Sequence, residues 1–304
     1  MKRRTFIKIT LPLAFTSYAS AGESDKPQLE FGVIADPQYA DADMRMGRFY
    51  RNSLAKMEAA VEELNKNNLE FVATLGDVID KDIASFDDIM PIYEKLKAPQ
   101  TFVLGNHDFT VDDKDKGSVM GLLGMEKSYF SETKGDWHFI YLDGTDVSPY
   151  RHPKKSAETE AAVKRLKLMR AEKLPQAKPY SGAVGADQLT WFTAELEKAK
   201  ATGKRVIVFN HFPVFPLNDG YNLWNDKDIV TLIARYPNVV AYMNGHQHKG
   251  NYTVNEGCHY LNLKGMVETA DKSAFAIVRC YSDRIEVDGF ETEPDRSCAF
   301  ADRG

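Results

Sequence analysis

Five short apolar runs, each followed at once by polar side chains, constrain the fold of this 304-residue chain more than any other feature. The runs are LEFGVIAD, EFVATLGD, QTFVLGNHD, KRVIVFNHF and VVAYMNGHQH. Runs of this length that are rich in β-branched and aromatic residues, and that end at polar or glycine residues, predict buried strands. The sequence therefore predicts sheets whose strand ends carry polar side chains.

Helical periodicity separates some of these runs. Apolar residues recur at helical spacing in RFYRNSLAKMEAAVEELNKNN, after the first run, and in GADQLTWFTAELEKAKATGK, before the fourth. From Asp136 onward, the segments DWHFIYLDG, NYTVNEGCHYLNLKG, SAFAIVRCYS and RIEVDGFE alternate in polarity and indicate antiparallel pairing. We expect an α/β fold of two packed mixed β-sheets flanked by helices. Residues 150–180 are more polar and favour a solvated surface helix, with a binding element as the alternative.

The first residues have the features of an export signal. Residues 1–21 combine a basic head, a short apolar stretch and the small-residue sequence ASA at 19–21. The pair Arg3-Arg4 followed by TFIK resembles the twin-arginine export signal, and an ordinary secretory signal is the alternative. Both predict a periplasmic or secreted protein, and the first names the twin-arginine translocation machinery as a partner during export.

The remaining chain has the size and charge of one acidic domain. Residues 1–21 contain four basic side chains and no acidic one, so the rest carries 35 basic and 44 acidic side chains. That balance argues against a nucleic acid polymer as the main partner. No later run approaches the roughly 18 apolar residues of a membrane span, so we expect no stable membrane association after signal removal. We predict a single domain over residues 28–304.

Three cysteines remain in that domain: Cys258, Cys280 and Cys298. In an oxidising compartment one disulfide could form, and the spacing does not identify its partners. No Cys-x-x-Cys spacing indicates a thiolate metal site.

The polar groups at the strand ends are of types that bind hard metal ions. They are Asp36 with Gln38, Asp77, Asn106 with His107, His211, and His246 with His248. Because the carboxyl ends of strands in an open α/β sheet converge on one crevice, side chains far apart in sequence can meet there. A single histidine after a strand is usually structural, but the order and placement of all five groups predict a shared site.

The blocks DPQ, GDVID, GNHD, NHFP and GHQH resemble the signature of the calcineurin-like metallophosphoesterases. That signature reads D-x-H, G-D-x-x-D, G-N-H-[D/E], a later H, and G-H-x-H; the match spans residues 36–248 and departs where Gln38 replaces the first histidine. The resemblance implies a four-layer sandwich that binds two divalent metal ions. It assigns one ion to Asp36, Gln38, Asp77 and His248, and the other to Asp77, Asn106, His211 and His246.

The same resemblance implies a hydrolytic mechanism. A metal-bridging hydroxide attacks phosphorus, His107 donates a proton or hydrogen bond to the leaving oxygen, and Asp80 orients His107. Two divalent ions bring four positive charges, and Asp36 and Asp77 return two negative ones, so the surplus suits an anionic phosphate. We assign Asp108 a structural role in the following turn.

Further segments are similar to the manganese-dependent ADP-ribose/CDP-alcohol diphosphatase family. They are GVIADPQYAD, RFYRNSL, GADQLTWF, NHFPVFP, LWN and HYLNLKGMVET followed by SAFAIV. The resemblance implies hydrolysis of the diphosphate bond of nucleoside diphosphate conjugates such as ADP-ribose or CDP-alcohols. A phosphomonoesterase or cyclic-nucleotide phosphodiesterase of the same superfamily is the alternative, followed by a non-catalytic nucleotide-binding or metal-binding protein.

Gln38 bears on the choice of metal. An amide oxygen is a harder, neutral donor than imidazole, so Gln38 favours Mn²⁺ or Mg²⁺ over Zn²⁺. We expect two Mn²⁺ ions, with Mg²⁺, Fe²⁺ and Zn²⁺ as the alternatives. The competing interpretation is that Gln38 does not touch the metal.

Aromatic side chains near the motifs are candidates to stack on a nucleobase. They are Tyr39, Phe212, Phe215, Tyr221 and Trp224. For each of them, packing in the core or in a loop is the alternative.

Overall fold

The computed structural model describes residues 26–300, which form two six-stranded mixed β-sheets with helices outside them. This is the architecture that the sequence predicts. The export-signal prediction for residues 1–21 lies outside the described residues, and the single-domain boundary at residue 28 stays a prediction. Between residues 26 and 300, no helix has both the length and the apolar character needed to cross a bilayer.

The strands cover most of the predicted apolar runs. They are β1 (Leu29–Ile34), β2 (Val72–Thr74), β3 (Gln100–Phe102), β4 (Phe130–Lys134), β5 (Trp137–Tyr141), β6 (Arg205–Phe209), β7 (Val239–Asn244), β8 (Lys249–Asn255), β9 (Cys258–Lys264), β10 (Ala274–Cys280), β11 (Arg284–Glu291) and β12 (Arg296–Ala299). The first sheet has the order β12-β11-β10-β1-β2-β3, and the second has the order β4-β5-β6-β7-β9-β8.

Parallel and antiparallel pairing divide each sheet. In the first sheet β1, β2 and β3 are parallel, with Gly32 opposite Val72 and Val72 opposite Gln100. Strands β10, β11 and β12 add antiparallel neighbours on the other side of β1. In the second sheet β5, β6, β7 and β9 are parallel, and the edge strands β4 and β8 are antiparallel.

The helices are α1 (Ser53–Leu64), α2 (Ser85–Tyr93), α3 (Val119–Leu122), α4 (Ala157–Ala171), α5 (Ala186–Ala201) and α6 (Asp226–Ala234), with short 3-10 turns at Tyr50–Asn52, His107–Phe109, Lys116–Ser118 and Met266–Glu268. Helices α1, α4 and α5 lie in the three segments where the sequence predicts helices, whereas α2, α3 and α6 are not predicted. Helix α1 buries Met57, Ala60, Val61 and Leu64, which recur at the spacing of one helix face. It packs this face against the outside of the first sheet.

A cluster of phenylalanines joins the two sheets. Phe31 of β1 stacks on Phe71 with ring centroids 4.8 Å apart, and Phe71 meets Phe139 of β5 edge-on at 5.0 Å. Phe209 of β6 lies 5.7 Å from Phe31. All four side chains are at most 1% exposed. Truncating one of them to alanine would cost about 3–5 kcal/mol, the usual range for a buried aromatic ring.

The polar segment at residues 150–180 is only partly solvated. Helix α4 begins after Ser156, whose side chain accepts a hydrogen bond from the Thr159 amide at 3.1 Å. One face of α4 packs on Trp224, while Val163 and Leu168 are 50% and 59% exposed. The prediction of a helix is therefore confirmed, but that helix also covers a small apolar cluster.

Two of the cysteines lie close together in the core between the sheets. Cys280 of β10 and Cys298 of β12 flank Ile285 of β11 from opposite sides, and both are buried. Neither forms a disulfide within residues 26–300. Cys258 is buried at the start of β9.

Candidate metal centre

The loops after β1, β2 and β7 are joined at the carboxyl ends of the parallel strands. The amide of Gln38 donates to the carbonyl of Asp77 at 2.8 Å, which links the first two loops. The amide of His246 donates to Oδ2 of Asp36 at 3.0 Å, which links the two sheets. The predicted convergence of strand ends therefore occurs at the junction between the sheets.

Four of the seven predicted ligands have backbone conformations that are unusual for residues other than glycine. The φ angles are 51° at Asp36, 45° at Gln38, 54° at Asp77 and 68° at His246. This left-handed region costs about 1–3 kcal/mol per residue where a structure enforces it. The cross-loop hydrogen bonds hold these conformations, and the strain is concentrated at the site.

Two glycines of the sequence blocks leave room for carboxylates. A Cβ added to Gly105 would lie 2.2 Å from Oδ1 of Asp77, and one added to Gly245 would lie 2.5 Å from Oδ2 of Asp36. Both distances are far below van der Waals contact. The glycines that precede Asn106 and His246 are therefore required by the approach of the two acidic side chains.

One group of candidate ligands contains Asp36, Asp77 and His248, which are all buried and lie with ligand atoms within 4.8 Å of one another. Nε2 of His248 is 3.5 Å from Oδ1 of Asp36. The side-chain amide of Gln38 lies between Asp77 and His248. Its Nε2 is 2.9 Å from Oδ2 of Asp77 and 3.0 Å from Nε2 of His248. The side chain of Gln38 is thus inside this group.

A second group contains Asp77, His211 and His246. Nε2 of His211 lies 3.3 Å from Oδ2 of Asp77, 3.1 Å from Nδ1 of His246 and 3.1 Å from Oδ1 of Asn106. Asp77 belongs to both groups, so its carboxylate lies where two cations could share it.

In His211 and His248, the ring nitrogen that points away from the candidate site contacts a hydrogen-bond acceptor. Nδ1 of His211 lies 2.7 Å from the carbonyl oxygen of Leu75, and Nδ1 of His248 lies 2.6 Å from Oε1 of Glu268. In the neutral imidazole these contacts place the proton on Nδ1 and leave a lone pair on Nε2. Both Nε2 atoms face the carboxylates, which is the orientation that a metal ligand requires.

The electrostatics of the site follow from burying opposite charges together. Burial raises the pKa of the Asp77 carboxyl, but the charges of His211, His107 and His246 and the hydrogen bond to His211 together outweigh it and hold that pKa well below its usual range. Burial lowers the pKa of His211 and His248, but Asp77 and Asp36 raise these two values to about 9. Burial and the charge of His211 hold the pKa of His246 well below its usual range. A cation would replace these protons as the positive partner of the carboxylates.

The donor set fits metal ions on its own chemistry. Nε2 of His211 and Oδ1 of Asn106 lie 3.1 Å apart, and both are acceptors once a cation has displaced the proton of His211. Oε1 of Gln38 and Nε2 of His246 are buried without a hydrogen-bond partner. Lone pairs that face one another in a buried site are stabilised when a cation lies between them. The residues present therefore fit two divalent cations that share Asp77.

His107 lies beside the two groups on the wall of the cavity. Its amide donates to Oδ1 of Asp77 at 2.7 Å, and its Nδ1 is 3.1 Å from Oδ1 of Asp80. Asp80 also accepts from the hydroxyl of Thr110 at 2.9 Å. Burial raises the pKa of Asp80, but His107, Lys81 and the hydroxyl of Thr110 together outweigh it and lower that pKa. Asp80 thus lies beside Nδ1 of His107, and Nε2 is on the opposite side of the ring; the role of Asp80 in orienting the imidazole stays a prediction.

Asp108 has the structural role that the sequence assigns to it. Its buried carboxylate accepts hydrogen bonds from the amides of Val78 at 2.7 Å and Gly105 at 2.8 Å. Burial and the charge of Asp77 raise the pKa of Asp108 to about 7. The side chain fastens the loop after β2 to the loop after β3, and it does not reach the cavity.

The two groups open into a cavity of about 530 Å³. Its wall consists of Gln38, Met46, Arg48, Asp77, Asn106, His107, Thr110, Tyr150, Pro179, Tyr180, Tyr221, His246 and His248. Tyr150 and Tyr180 stand at the two ends of the polar segment that contains α4. The segment 150–180 therefore begins and ends at the cavity. Its polar composition alone does not indicate this position.

Only one of the five predicted aromatic contacts reaches the cavity. The ring centroid of Tyr221 lies 5.9 Å from that of His246 and 6.4 Å from that of Tyr180. The other four are packed elsewhere and offer no face to a base. Tyr39 and Trp224 donate to Asp88 and to the carbonyl of Lys178, and Phe212 and Phe215 pack in the core beneath α5 and α6. Tyr180 is a wall residue that sequence reasoning missed.

Residues 29–250 match the calcineurin-like phosphoesterase family. Proteins named manganese-dependent ADP-ribose/CDP-alcohol diphosphatase are similar over nearly the whole chain. The one from Arabidopsis thaliana is 30% identical over 87% of this chain and 94% of its own length. The one from Xenopus tropicalis is 30% identical over 91% of this chain and 96% of its own length.

One solved structure has the same fold throughout. The crystal structure of a dimetal phosphatase from Danio rerio aligns with a TM-score of 0.82 at 23% identity, over 91% of this chain and all of that one. At this identity the likeness supports the fold and the placement of the strands.

Proposed function

Because the chain belongs to the calcineurin-like phosphoesterase family and is a metal-dependent hydrolase, we propose that it cleaves the diphosphate bond of nucleoside diphosphate conjugates. ADP-ribose and CDP-alcohols are the substrates that the names of its relatives indicate. The observation that carries the proposal is the pair of ligand groups joined by Asp77 at the base of an open cavity. A cavity of about 530 Å³ has room for a nucleotide conjugate.

The metal ions would be held by the two ligand groups. Asp36, Asp77 and His248, with Gln38, form one group, and Asp77, His211 and His246, with Asn106, form the other. Two bound divalent cations, of which Mn²⁺ is the first candidate, would supply positive charge beside a phosphoryl group and lower the pKa of a water molecule.

His107 and Asp80 supply the proton chemistry of the protein itself. When His107 is protonated on both ring nitrogens, Nδ1 can donate to Asp80 while Nε2 donates a hydrogen bond to the oxygen that leaves phosphorus. The leaving group of a diphosphate is a phosphate, which is a better leaving group than an alkoxide. The reaction on a diphosphate therefore depends less on proton donation by His107 than the reaction on an alkyl ester.

A substrate panel with metal analysis tests the proposal. Purified protein is analysed for bound metal and then assayed with added Mn²⁺ on ADP-ribose, CDP-choline, a nucleoside monophosphate and a cyclic nucleotide. We expect the two diphosphate conjugates to have the highest kcat/KM. Faster turnover of the monophosphate or the cyclic nucleotide would favour the alternative hydrolases, and the absence of turnover on all four would favour a binding protein.

We also propose that the mature protein acts outside the cytoplasm, after export by the twin-arginine machinery. The support is the sequence of residues 1–21, with Arg3-Arg4 in its basic head. Replacing both arginines by lysine should retain the protein in the cytoplasm of a bacterial host, as measured by cell fractionation. Unchanged periplasmic accumulation would instead indicate an ordinary secretory signal.

A further inference from the structure

We propose that Arg48 binds the second phosphate of a diphosphate substrate, the phosphate that departs when the diphosphate bond is cleaved. The proposal rests on the proposed function and deepens it, because it names the residue that separates a diphosphate from a monoester.

Arg48 is the lone Lys or Arg side chain among the described residues that line the cavity. Its Nη1 lies 3.4 Å from Nε2 of His107. The guanidinium thus stands beside the imidazole that faces the leaving oxygen, on the side away from Asp80. A planar fork of N–H donors is suited to a phosphate, which it can bind through two oxygens at once.

Among residues 26–300, the guanidinium of Arg48 forms no ion pair with a carboxylate; its charge acts on Glu268 only from beyond ion-pairing distance. Nearby Arg51 is different, because its guanidinium contacts Asp41 at 2.5 Å and Asp43 at 2.6 Å. Arg51 is thus engaged by protein carboxylates at the surface, whereas the donors of Arg48 remain available to an anion in the cavity.

The backbone fixes Arg48 in place. Arg45 and Arg48 exchange hydrogen bonds between their amides and carbonyls at 3.2 and 3.0 Å, which closes a tight turn that contains Gly47 at a φ of +84°. The next amide, of Phe49, donates to the carbonyl of Val267 at 2.8 Å. Arg48 is therefore anchored to the same 3-10 turn that places Glu268 on His248, so it is pre-organised relative to the metal ligands.

The chemistry assigns the two phosphates of a substrate to different partners. Water adds to the phosphorus at the metal ligands and releases one proton, and the bond from that phosphorus to the bridging oxygen breaks. The bridging oxygen departs on the second phosphate with the electron pair and can take up a proton from His107, so that one proton is released and one is delivered. Nη1 of Arg48 donates towards Nε2 of His107 in the structure; when a phosphate lies between them and His107 is protonated at Nε2, His107 can donate to the departing oxygen and Arg48 to the other oxygens of the same phosphate. A monoester has no second phosphate, so Arg48 has no charge to neutralise in that reaction.

Binding measurements separate this role from turnover. The probes are AMP, with one phosphate, and the α,β-methylene analogue of ADP, which has two phosphates and cannot be cleaved between them. With Mn²⁺ present, Arg48→Gln should weaken binding of the methylene analogue about 10- to 100-fold, the range for a hydrogen bond to a charged group, and should change AMP binding less than about threefold. Arg48→Lys should fall between the wild type and Arg48→Gln.

The matched control is Arg51→Gln, which removes a guanidinium three residues away that pairs with solvent-exposed carboxylates. The Arg51→Gln variant should bind both probes as the wild type does. Thermal unfolding and bound metal are measured for every variant. Equal weakening of both probes by Arg48→Gln, or no weakening of the methylene analogue, overturns the proposal. The substrate panel tests the proposed function separately, because it uses the wild type alone.

Discussion

Oε1 of Glu268 lies 2.6 Å from Nδ1 of His248, and the opposite ring nitrogen of that histidine lies 3.5 Å from Oδ1 of Asp36. The carboxylate of Glu268 therefore fixes the tautomer of His248. It also raises the basicity of the imidazole, which makes Nε2 a stronger metal ligand. Glu268 is 37% exposed at its side chain, so it can be replaced without opening the core.

Removing this carboxylate should weaken one metal site. We expect Glu268→Ala to lower the affinity for one of two Mn²⁺ ions about 10- to 100-fold, because His248 loses its orienting partner. Titration with Mn²⁺, followed by electron paramagnetic resonance of the unbound ion, measures both affinities. Glu256→Ala, at the exposed turn between β8 and β9, is the matched control. Equal affinities in the wild type and Glu268→Ala would contradict this role.

Asp77 should matter to both ions, because it is the one carboxylate common to both ligand groups. We expect Asp77→Asn to reduce the affinity for both ions and to lower kcat/KM at least about a hundredfold, as several kcal/mol of electrostatic stabilisation are lost. His248→Ala should reduce the affinity for one ion and spare the other. Metal content after dialysis distinguishes the two patterns. Identical stoichiometries in the two variants would argue against a shared carboxylate.

The fold and the convergence of the candidate ligands could be predicted from the sequence because local signals determine them. Buried strands have apolar runs, and the glycines next to Asn106 and His246 are required by the carboxylates that approach them. The wall of the cavity could not be predicted in this way. Tyr180, Arg48 and Glu268 belong to loops whose local sequence does not distinguish them from neighbours such as Arg51, and tertiary contacts alone bring them to the site.

The aromatic predictions show the same limit. Phe212 directly follows the candidate ligand His211, yet its ring is fully buried, whereas Tyr221, ten residues after His211, is 44% exposed beside the cavity. Proximity in sequence to a motif does not decide which side of the chain an aromatic ring occupies. Burial decides it, and burial depends on the helices that cover the second sheet.

Gln38 should influence which metal the first site prefers. Its Oε1 is buried without a hydrogen-bond partner, and an amide oxygen is a harder donor than imidazole. We expect Gln38→His to shift the preference from Mn²⁺ towards Zn²⁺. Competition between the two ions for the metal-free protein measures that ratio in the wild type and the variant. An unchanged ratio of Mn²⁺ to Zn²⁺ affinity would mean that Gln38 does not bind the metal.

The importance of His107 should depend on the leaving group. We expect His107→Ala to lower the rate about 10²- to 10⁴-fold on an alkyl phosphodiester, the usual contribution of general acid catalysis, and considerably less on ADP-ribose. Asp80→Asn should give the same pattern with smaller losses, because Asp80 acts through His107. Steady-state kinetics on both substrates provide the comparison. Large and equal losses on the two substrates would rule out a role in leaving-group departure.

Lys56 connects stability to the segment that carries Glu268. Its ammonium is buried and donates to the carbonyls of Met266 and, at 2.7 Å, of Thr269. Burial lowers the pKa of Lys56 to about 8, although the charges of Glu268 and Glu291 partly oppose the shift. The charged form is therefore less favoured in the folded protein than in the unfolded chain.

The sign of the resulting pH dependence follows from this shift. Between pH 8 and the ordinary lysine pKa of about 10.4, the unfolded chain binds more protons at this side chain than the folded protein does, so Lys56 makes stability rise with pH. Lys56→Met removes that contribution, so the free energy of unfolding of the wild type minus that of the variant should increase from pH 8 to pH 10 and stay constant below pH 7. Urea unfolding of both proteins across this range gives the difference. A difference that is flat or falls above pH 8 would show that Lys56 remains charged when folded, held by the two carbonyls at the base of the Glu268 turn.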